Sequence, residues 1–438
     1  MKRTGISAST STSTLGTLAL AVLAATLAAC GGGDGGGTGT TGPSGPTTPT
    51  TPVTPSTSFT QSGTWTFTLP AAGASICYDF NAQAPVADCS GNNWDLKVKA
   101  AARSASLWTN SGSSGTGNGG AFGGPFDHTW TELQAWKNAT TDPVNGAIPS
   151  TLYFKDAAAG VFTSSNDIAS AAFEYGVGGS NDHLLYPTWR TFVITTDNSS
   201  ADAVGTVAAP VFALQVAGYY GGTGGTTSGH PSFRWVDRAN PGVVRTATVD
   251  ATADWVYYDL VNAQQTTATG TWHIAFSRYN IKLNGGESGT GKVAGFVGRT
   301  PAGFYDASNK PVAARFTDAG NATATLADLS AADLAVPAAA SSWVKDANAS
   351  PLSPAYTGTY PNPLNYGWYT YHPTAAAAAA AGLPAVAHLL KANPDAATLV
   401  RGGEGTTYAR IHLLNIQYAN PSDSASAQTW TIAFDVQP

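Results

Sequence analysis

The sequence predicts an all-β protein: two tandem β domains with short helical insertions, after an export signal and a disordered linker. Composition, strand alternation and an internal repeat carry that reading. Only 11% of the 438 residues are charged, against about 25% in ordinary soluble domains. Glu occurs only at Glu132, Glu174, Glu287 and Glu404, whereas there are 12 Trp, 17 Tyr, 16 Phe and 49 Gly. Such a chain is poor in helix formers and rich in strand formers. A helical bundle, a coiled coil and an acidic disordered protein are therefore excluded. A net charge of −6 argues against nucleic-acid binding, because nothing neutralises phosphate in bulk. The only methionine is Met1, so a mature chain has no thioether to offer a metal.

In chain order, the first element is a signal. Lys2 and Arg3 precede an apolar stretch from Leu15 to Ala29, too short for the ~20 residues of a bilayer span. It ends in Leu27-Ala28-Ala29-Cys30, which resembles the bacterial lipobox. Residues 1–29 are expected to be a lipoprotein signal peptide, with Cys30 the lipidated residue that anchors the chain to a membrane. Gly31, where Asp would retain a lipoprotein at the inner membrane, favours the outer membrane. Residues 30–58 hold almost no apolar side chains and read as a Gly/Thr/Pro-rich linker. Cys77 and Cys89 follow, 12 residues apart across a turn, and in an exported chain are expected to form a disulfide.

The repeat comes next. Cys77–Gln83 matches Tyr257–Gln264, Asn93–Val98 matches Thr271–Phe276, and Asn110–Gly117 matches Asn284–Gly291. Order is kept across the three matches. The chain therefore reads as a duplication, with domains at 59–238 and 244–438, the first degenerate, and a boundary in Asp237–Val243. This predicts that residues 244–438 fold alone. In TWHIAFSRY, Trp272, Ile274 and Phe276 alternate with His273, Ala275 and Ser277, the period of a strand with one buried face. Thr374–Ala392 is expected to carry one or two short helices, and Leu326–Ala335 another.

Gly286–Lys292 imitates a phosphate-binding loop, but residue 293 is Val where Ser or Thr would hold magnesium, so a Gly-rich turn is expected. There is no nucleophile elbow, no His-Glu-x-x-His pair and no spaced carboxylate pair, and the chain is expected not to be an enzyme. Of seven histidines, His372 stands out at the end of Gly367-Trp368-Tyr369-Thr370-Tyr371-His372. Aromatics beside one imidazole at a strand end could form a flat apolar slot with an iron ligand.

Trp272-His-Ile-Ala-Phe276, Arg278-Tyr279 and Asn284-Gly-Gly-Glu-Ser-Gly-Thr-Gly-Lys292 resemble the core signature of the HmuY family of haem-binding outer-membrane lipoproteins. GWYTYH at 367–372 and LVRGGEGTTYARIHLLNIQY at 399–418 resemble later family segments. The resemblance implies an all-β domain that holds one haem through two axial side chains and passes it to a TonB-dependent outer-membrane receptor. It makes haem the expected cofactor. His372 lies where the second family histidine follows the Gly-Trp strand, with Trp368, Tyr369 and Tyr371 beside it. The first family histidine has no counterpart between Val312 and Asn362, so the second ligand would be His388, a tyrosine, or a residue of the first copy such as His183. The implied function is a lipid-anchored haemophore serving iron acquisition. The alternative is an envelope module that binds glycan or protein without a cofactor.

Overall fold

Along Gln428–Gln437, Trp430, Ile432, Phe434 and Val436 are buried and alternate with partly exposed residues. A period of two with one face inward builds a sheet that must cover that face with a second layer. The computed structural model describes residues 56–438 and places this strand in a sheet ordered Gln61–Thr68, Gln428–Gln437, Tyr408–Tyr418, Ala396–Arg401, Gly120–Phe122. A second sheet is ordered Asn240–Thr248, Thr227–Asp237, Val211–Gly221, Thr191–Thr195, Ala294–Arg299. Among the described residues strand makes up 39% and helix 8%, as an all-β fold requires. Lys2, Arg3, the apolar stretch and Cys30 lie outside the described residues.

Two four-stranded sheets supply the covering layers, one within residues 75–109 and one within 256–283. The first packs on the sheet that holds Ala396–Arg401, Tyr408–Tyr418 and Gln428–Gln437, the second on the sheet within residues 191–299. Tyr78, Leu96, Val98 and Leu107 share a core with Val400, Ile411, Trp430 and Phe434. Tyr258, Ile274, Phe276 and Leu283 share the other with Phe192, Leu214, Phe233 and Trp235. One core is therefore contiguous, drawn from Val161 to Val293, and the other joins the two ends of the chain. Residues 237–243, expected to separate two domains, form a hairpin inside the second sheet, where Asp237 pairs with Asn240. The chain passes between cores where Ala157–Ala159 pairs antiparallel with Ala347–Ala349.

The matched segments make matching hydrogen bonds. Asp79 Oδ1 accepts from the amides of Asn81 and Ala82 at 2.8 and 2.9 Å; Asp259 Oδ1 accepts from Val261 and Asn262 at 2.9 and 3.1 Å. The Asn110 side chain donates to the Trp94 carbonyl (2.9 Å) and accepts from Gly117 N (2.9 Å). Asn284 does the same with Trp272 and Gly291, at 3.0 and 3.1 Å. The Cys77–Cys89 disulfide is formed, with a Cα–Cα distance of 5.5 Å.

Three local expectations change. Trp272, His273, Ile274, Ala275 and Phe276 are all buried, so that strand has two covered faces rather than one. Leu326–Ser330 is a short 3₁₀ turn, with no helix continuing to Ala335. Ala375–Ala380 is helical, capped by Thr374, but Leu389–Ala392 is strand. Gly382, at φ 77°, and Pro384 stop the helix, and pairing with Tyr369–His372 takes the rest.

Asp95, 1% exposed, sits where the two halves meet and accepts from the amides of Phe80 and Gly403, both at 2.8 Å. Burial, with Glu404 and Asp79 nearby, nonetheless pushes its carboxyl up to about 7. The folded state then keeps a proton that the unfolded chain releases near its ordinary value of about 4. Its contribution is complete below about pH 4 and is lost as pH rises through about 7. Stability should therefore fall by a few kcal/mol, to order of magnitude, across that window. Asp95→Asn should flatten the slope, as measured by urea unfolding at several pH values. An unchanged slope would remove Asp95 as its source.

Candidate functional site

The candidate residues collect on one hairpin, Tyr369–His372 paired with Leu389–Ala392. Trp368 is buried at its base, and its indole N–H donates to the Leu352 carbonyl at 2.6 Å. Tyr369, also buried, donates through its hydroxyl to the Ala105 carbonyl at 3.4 Å, and burial pushes that phenol up to about 12. Both residues belong to the core that joins the chain ends. They also line a cavity of about 240 Å³ against the turn at 101–106. A second cavity of about 110 Å³, sharing Ser104, Tyr366 and Tyr369 with the first, is lined in addition by Arg103, Tyr371 and Leu390. Tyr366 stacks on Tyr369 at 5.2 Å and meets Tyr356, itself half exposed, at the same distance. The hairpin thus presents a tyrosine-lined recess with one guanidinium at its rim.

Tyr371 and His372 are neighbours on a strand and point to opposite faces. Tyr371 faces the recess, and its hydroxyl lies 2.6 Å from Nδ1 of His388. The two rings stack at 5.9 Å. His388 reaches that place because its backbone turns at φ 70° just before the return strand. His372 is 4% exposed, on the side against the alanine helix, and neither ring nitrogen has a hydrogen-bond partner. Burial, then Lys391, lower its pKa, while the Ala377 backbone acts in the opposite sense without reaching hydrogen-bond geometry. The ring is therefore neutral near pH 7, the form that can ligate a metal. An orphaned buried imidazole costs about 1–3 kcal/mol.

Trp368, Tyr369, Tyr371, His372 and His388 all lie on or beside this hairpin, with His372 on its opposite face; Arg103 and Tyr366, which sequence reasoning did not name, line the recess. Nothing local in Ala101–Ser104 signals its position opposite a strand more than 260 residues away. His183 is not at this hairpin; it lies in the other module, 2.7 Å from the hydroxyl of Tyr175. The remaining histidines include satisfied ones: His412 bonds the Pro394 carbonyl and stacks on Trp130, and His273 bonds the Leu260 amide. Gly286–Lys292 leads into a strand, Ala294–Arg299, and Lys292 pairs with Asp197, so no helix N-terminus faces a phosphate there. No group of three or more His, Cys, Asp or Glu residues that could hold a metal ion occurs among the described residues. Among them, too, no helix is long and apolar enough to cross a membrane.

The family model described as HmuY protein matches residues 251–434, which hold the hairpin and the signature loop at 284–292. No curated protein and no solved structure matches the chain. With its all-β fold, the C-terminal part of the chain is thus similar to the HmuY family over residues 251–434.

Proposed function

We propose that the protein is a haem-binding protein of the cell envelope, anchored through Cys30, in which Tyr371 holds the iron and His388 backs it. The observation that carries this reading is the 2.6 Å contact between the Tyr371 hydroxyl and His388 Nδ1, beside a recess lined by Tyr366, Tyr369 and Arg103. The family's association with haem supports the ligand class. Bound haem would supply an iron that accepts oxygen or nitrogen donors. Tyr371 would hold it through its hydroxyl oxygen, and His388 Nδ1, 2.6 Å away, would take the phenol proton. The stacked tyrosines offer apolar faces to a planar ring, and Arg103 offers a cation to a carboxylate. The two cavities, about 240 and 110 Å³, fall below the roughly 300–1,000 Å³ typical of ligand pockets, so most of a macrocycle would stay outside. That suits a protein that passes its ligand to a receptor, as the resemblance to TonB-linked relatives implies. The matching hydrogen bonds support reading the chain as a duplicated HmuY-type protein whose halves have exchanged sheets. The linker at 30–58 would hold it off the outer membrane.

His372 supports a second arrangement, in which the alanine helix lifts and the orphaned imidazole takes the iron. A Soret titration with haemin separates the two. Tyr371→Phe should abolish the saturable shift or weaken it at least tenfold, and His388→Ala should move the band. His372→Ala should leave both unchanged. Loss of binding only in His372→Ala would select the second arrangement. No saturable shift in the intact chain would end the haem reading in favour of a glycan- or protein-binding module. Trp255, partly exposed at the mouth of a cavity of about 550 Å³ and 4.1 Å from the Lys282 ammonium, would be its first candidate contact.

A further inference from the structure

The hairpin at Tyr371 has a counterpart with different chemistry. Phe173–Tyr175 pairs with Leu185–Pro187 as Tyr369–His372 pairs with Leu389–Ala392, and the Tyr175 hydroxyl lies 2.7 Å from Nδ1 of His183. Both strands of this hairpin lie outside residues 251–434, where the family model matches. One residue before the tyrosine stands Glu174 here and Thr370 there. The Glu174 side chain belongs to a buried residue, and an acid so placed needs partners. Its Oε1 accepts from the Tyr305 hydroxyl at 2.8 Å, and its Oε2 has no partner among the described residues.

Glu174 and Tyr175 line a cavity of about 520 Å³, within the roughly 300–1,000 Å³ of small-molecule sites. The other charged residues of its lining are Asp167, Arg190 and Lys310, so two acids stand with two bases. Neither Arg190 nor Lys310 is in an ion pair among the described residues. A lining of balanced charge gives no bulk attraction for a polyanion. It suits a ligand with one carboxylate and several hydroxyls, because the bases take the carboxylate and Glu174 accepts from a hydroxyl.

The two aromatic rings of the cavity differ in what they offer. Tyr305 is covered: the Arg190 guanidinium lies over its ring at 4.8 Å and is held by a bond to the Ala171 carbonyl at 3.1 Å. Tyr175 is 43% exposed, and the His183 ring, 6.1 Å away and tilted by 36°, does not stack on it. One aromatic face is therefore open and fixed through its hydroxyl. The negative face of such a ring attracts the polarised C–H groups on one side of a sugar.

We propose that this cavity binds a uronic-acid sugar, with Arg190 and Lys310 on its carboxylate, Glu174 on a hydroxyl and the Tyr175 ring against its C–H face. The site is independent of the haem reading, which concerns the other hairpin.

The test is calorimetric titration of the full chain with disaccharides of galacturonic, mannuronic and glucuronic acid, each beside its methyl ester, and with L-serine as a small ligand of both charges. At least one disaccharide should bind saturably at millimolar concentration or below, and its ester about tenfold more weakly. Tyr175→Ala should weaken binding about tenfold, whereas Tyr175→Phe keeps the ring and should retain most of it. Lys310→Gln should weaken binding several-fold. Tyr175 and Lys310 are both exposed, so neither change touches the core. Failure of every disaccharide to bind would overturn the proposal. So would equal binding of acid and ester, tighter binding of L-serine, or binding that Tyr175→Ala and Lys310→Gln both leave unchanged.

Discussion

A fragment of residues 161–349 should fold by itself, and a fragment of residues 244–438 should not. The first contains the whole Val161–Val293 core and all five strands of its larger sheet, including Ala294–Arg299. It also keeps the smaller clusters built on Val193, Val236 and Trp343 and on Trp189, Phe304 and Phe316. The second has the family match and two sets of strands, but the layers that cover them are gone. Ile274 and Phe276 lose Phe192, Leu214, Phe233 and Trp235; Trp430 and Phe434 lose Tyr78, Leu96 and Leu107. Each large apolar side chain left bare forfeits about 1.5–3 kcal/mol. A handful of them exceeds the whole stability of a typical domain, about 5–15 kcal/mol. Urea unfolding followed by tryptophan fluorescence should show a cooperative transition for 161–349 and none for 244–438. A cooperative, soluble 244–438 would mean that the halves do not depend on each other's sheets.

Gly286→Ala and Gly112→Ala should each destabilise the chain by several kcal/mol, about 3 or more. Both residues sit where the chain crosses between cores, with φ of 61° and 51°. A Cβ on Gly286 would lie 1.9 Å from the Asp346 carbonyl oxygen, and one on Gly112 would lie 1.8 Å from that of Asp156. Those carbonyls cannot move freely. They accept from the amides of Glu287 (2.8 Å) and Ser113 (3.0 Å), and they lead directly into the crossing strands. The left-handed backbone adds its own cost for any residue with a side chain. The Gly286–Lys292 loop that imitates a phosphate site thus owes its first glycine to close backbone approach. Thermal unfolding of the two variants checks this, and a change in midpoint of under about 2 °C would contradict it.

How much of this was legible in the sequence depended on how local the cause was. Period-two alternation in TWTIAFDV and the pairing of Cys77 with Cys89 follow from neighbours, and the structure contains them; in ARIHLLNIQY the alternation holds to Ile411 and breaks at the register shift between Leu413 and Asn415. Which sheet packs on which does not follow from neighbours. The matched segments carry similar inward faces, so the pattern in Asn93–Val98 cannot say whether it packs on Val211–Asp237 or on Tyr408–Gln437. The short crossing strands decide that, and Ala157–Ala159 has no pattern that announces pairing. The site divides the same way. Tyr369, Tyr371 and His372 stood out as an aromatic run ending in an imidazole. Their opposite orientations follow from the strand, once it is known to be one. The sequence names His388 only as an alternative second ligand, in a stretch that reads as helix, and Arg103 lies in a turn from the other end of the chain with nothing local to mark it.

The most direct test of the haem reading is a crystal structure of the full chain with haemin bound. Iron is expected within bonding distance of the Tyr371 hydroxyl oxygen, with His388 still hydrogen-bonded to that oxygen and Ala375–Ala380 in place over His372. Iron on His372 with that helix displaced, or porphyrin away from Tyr371, would contradict that reading.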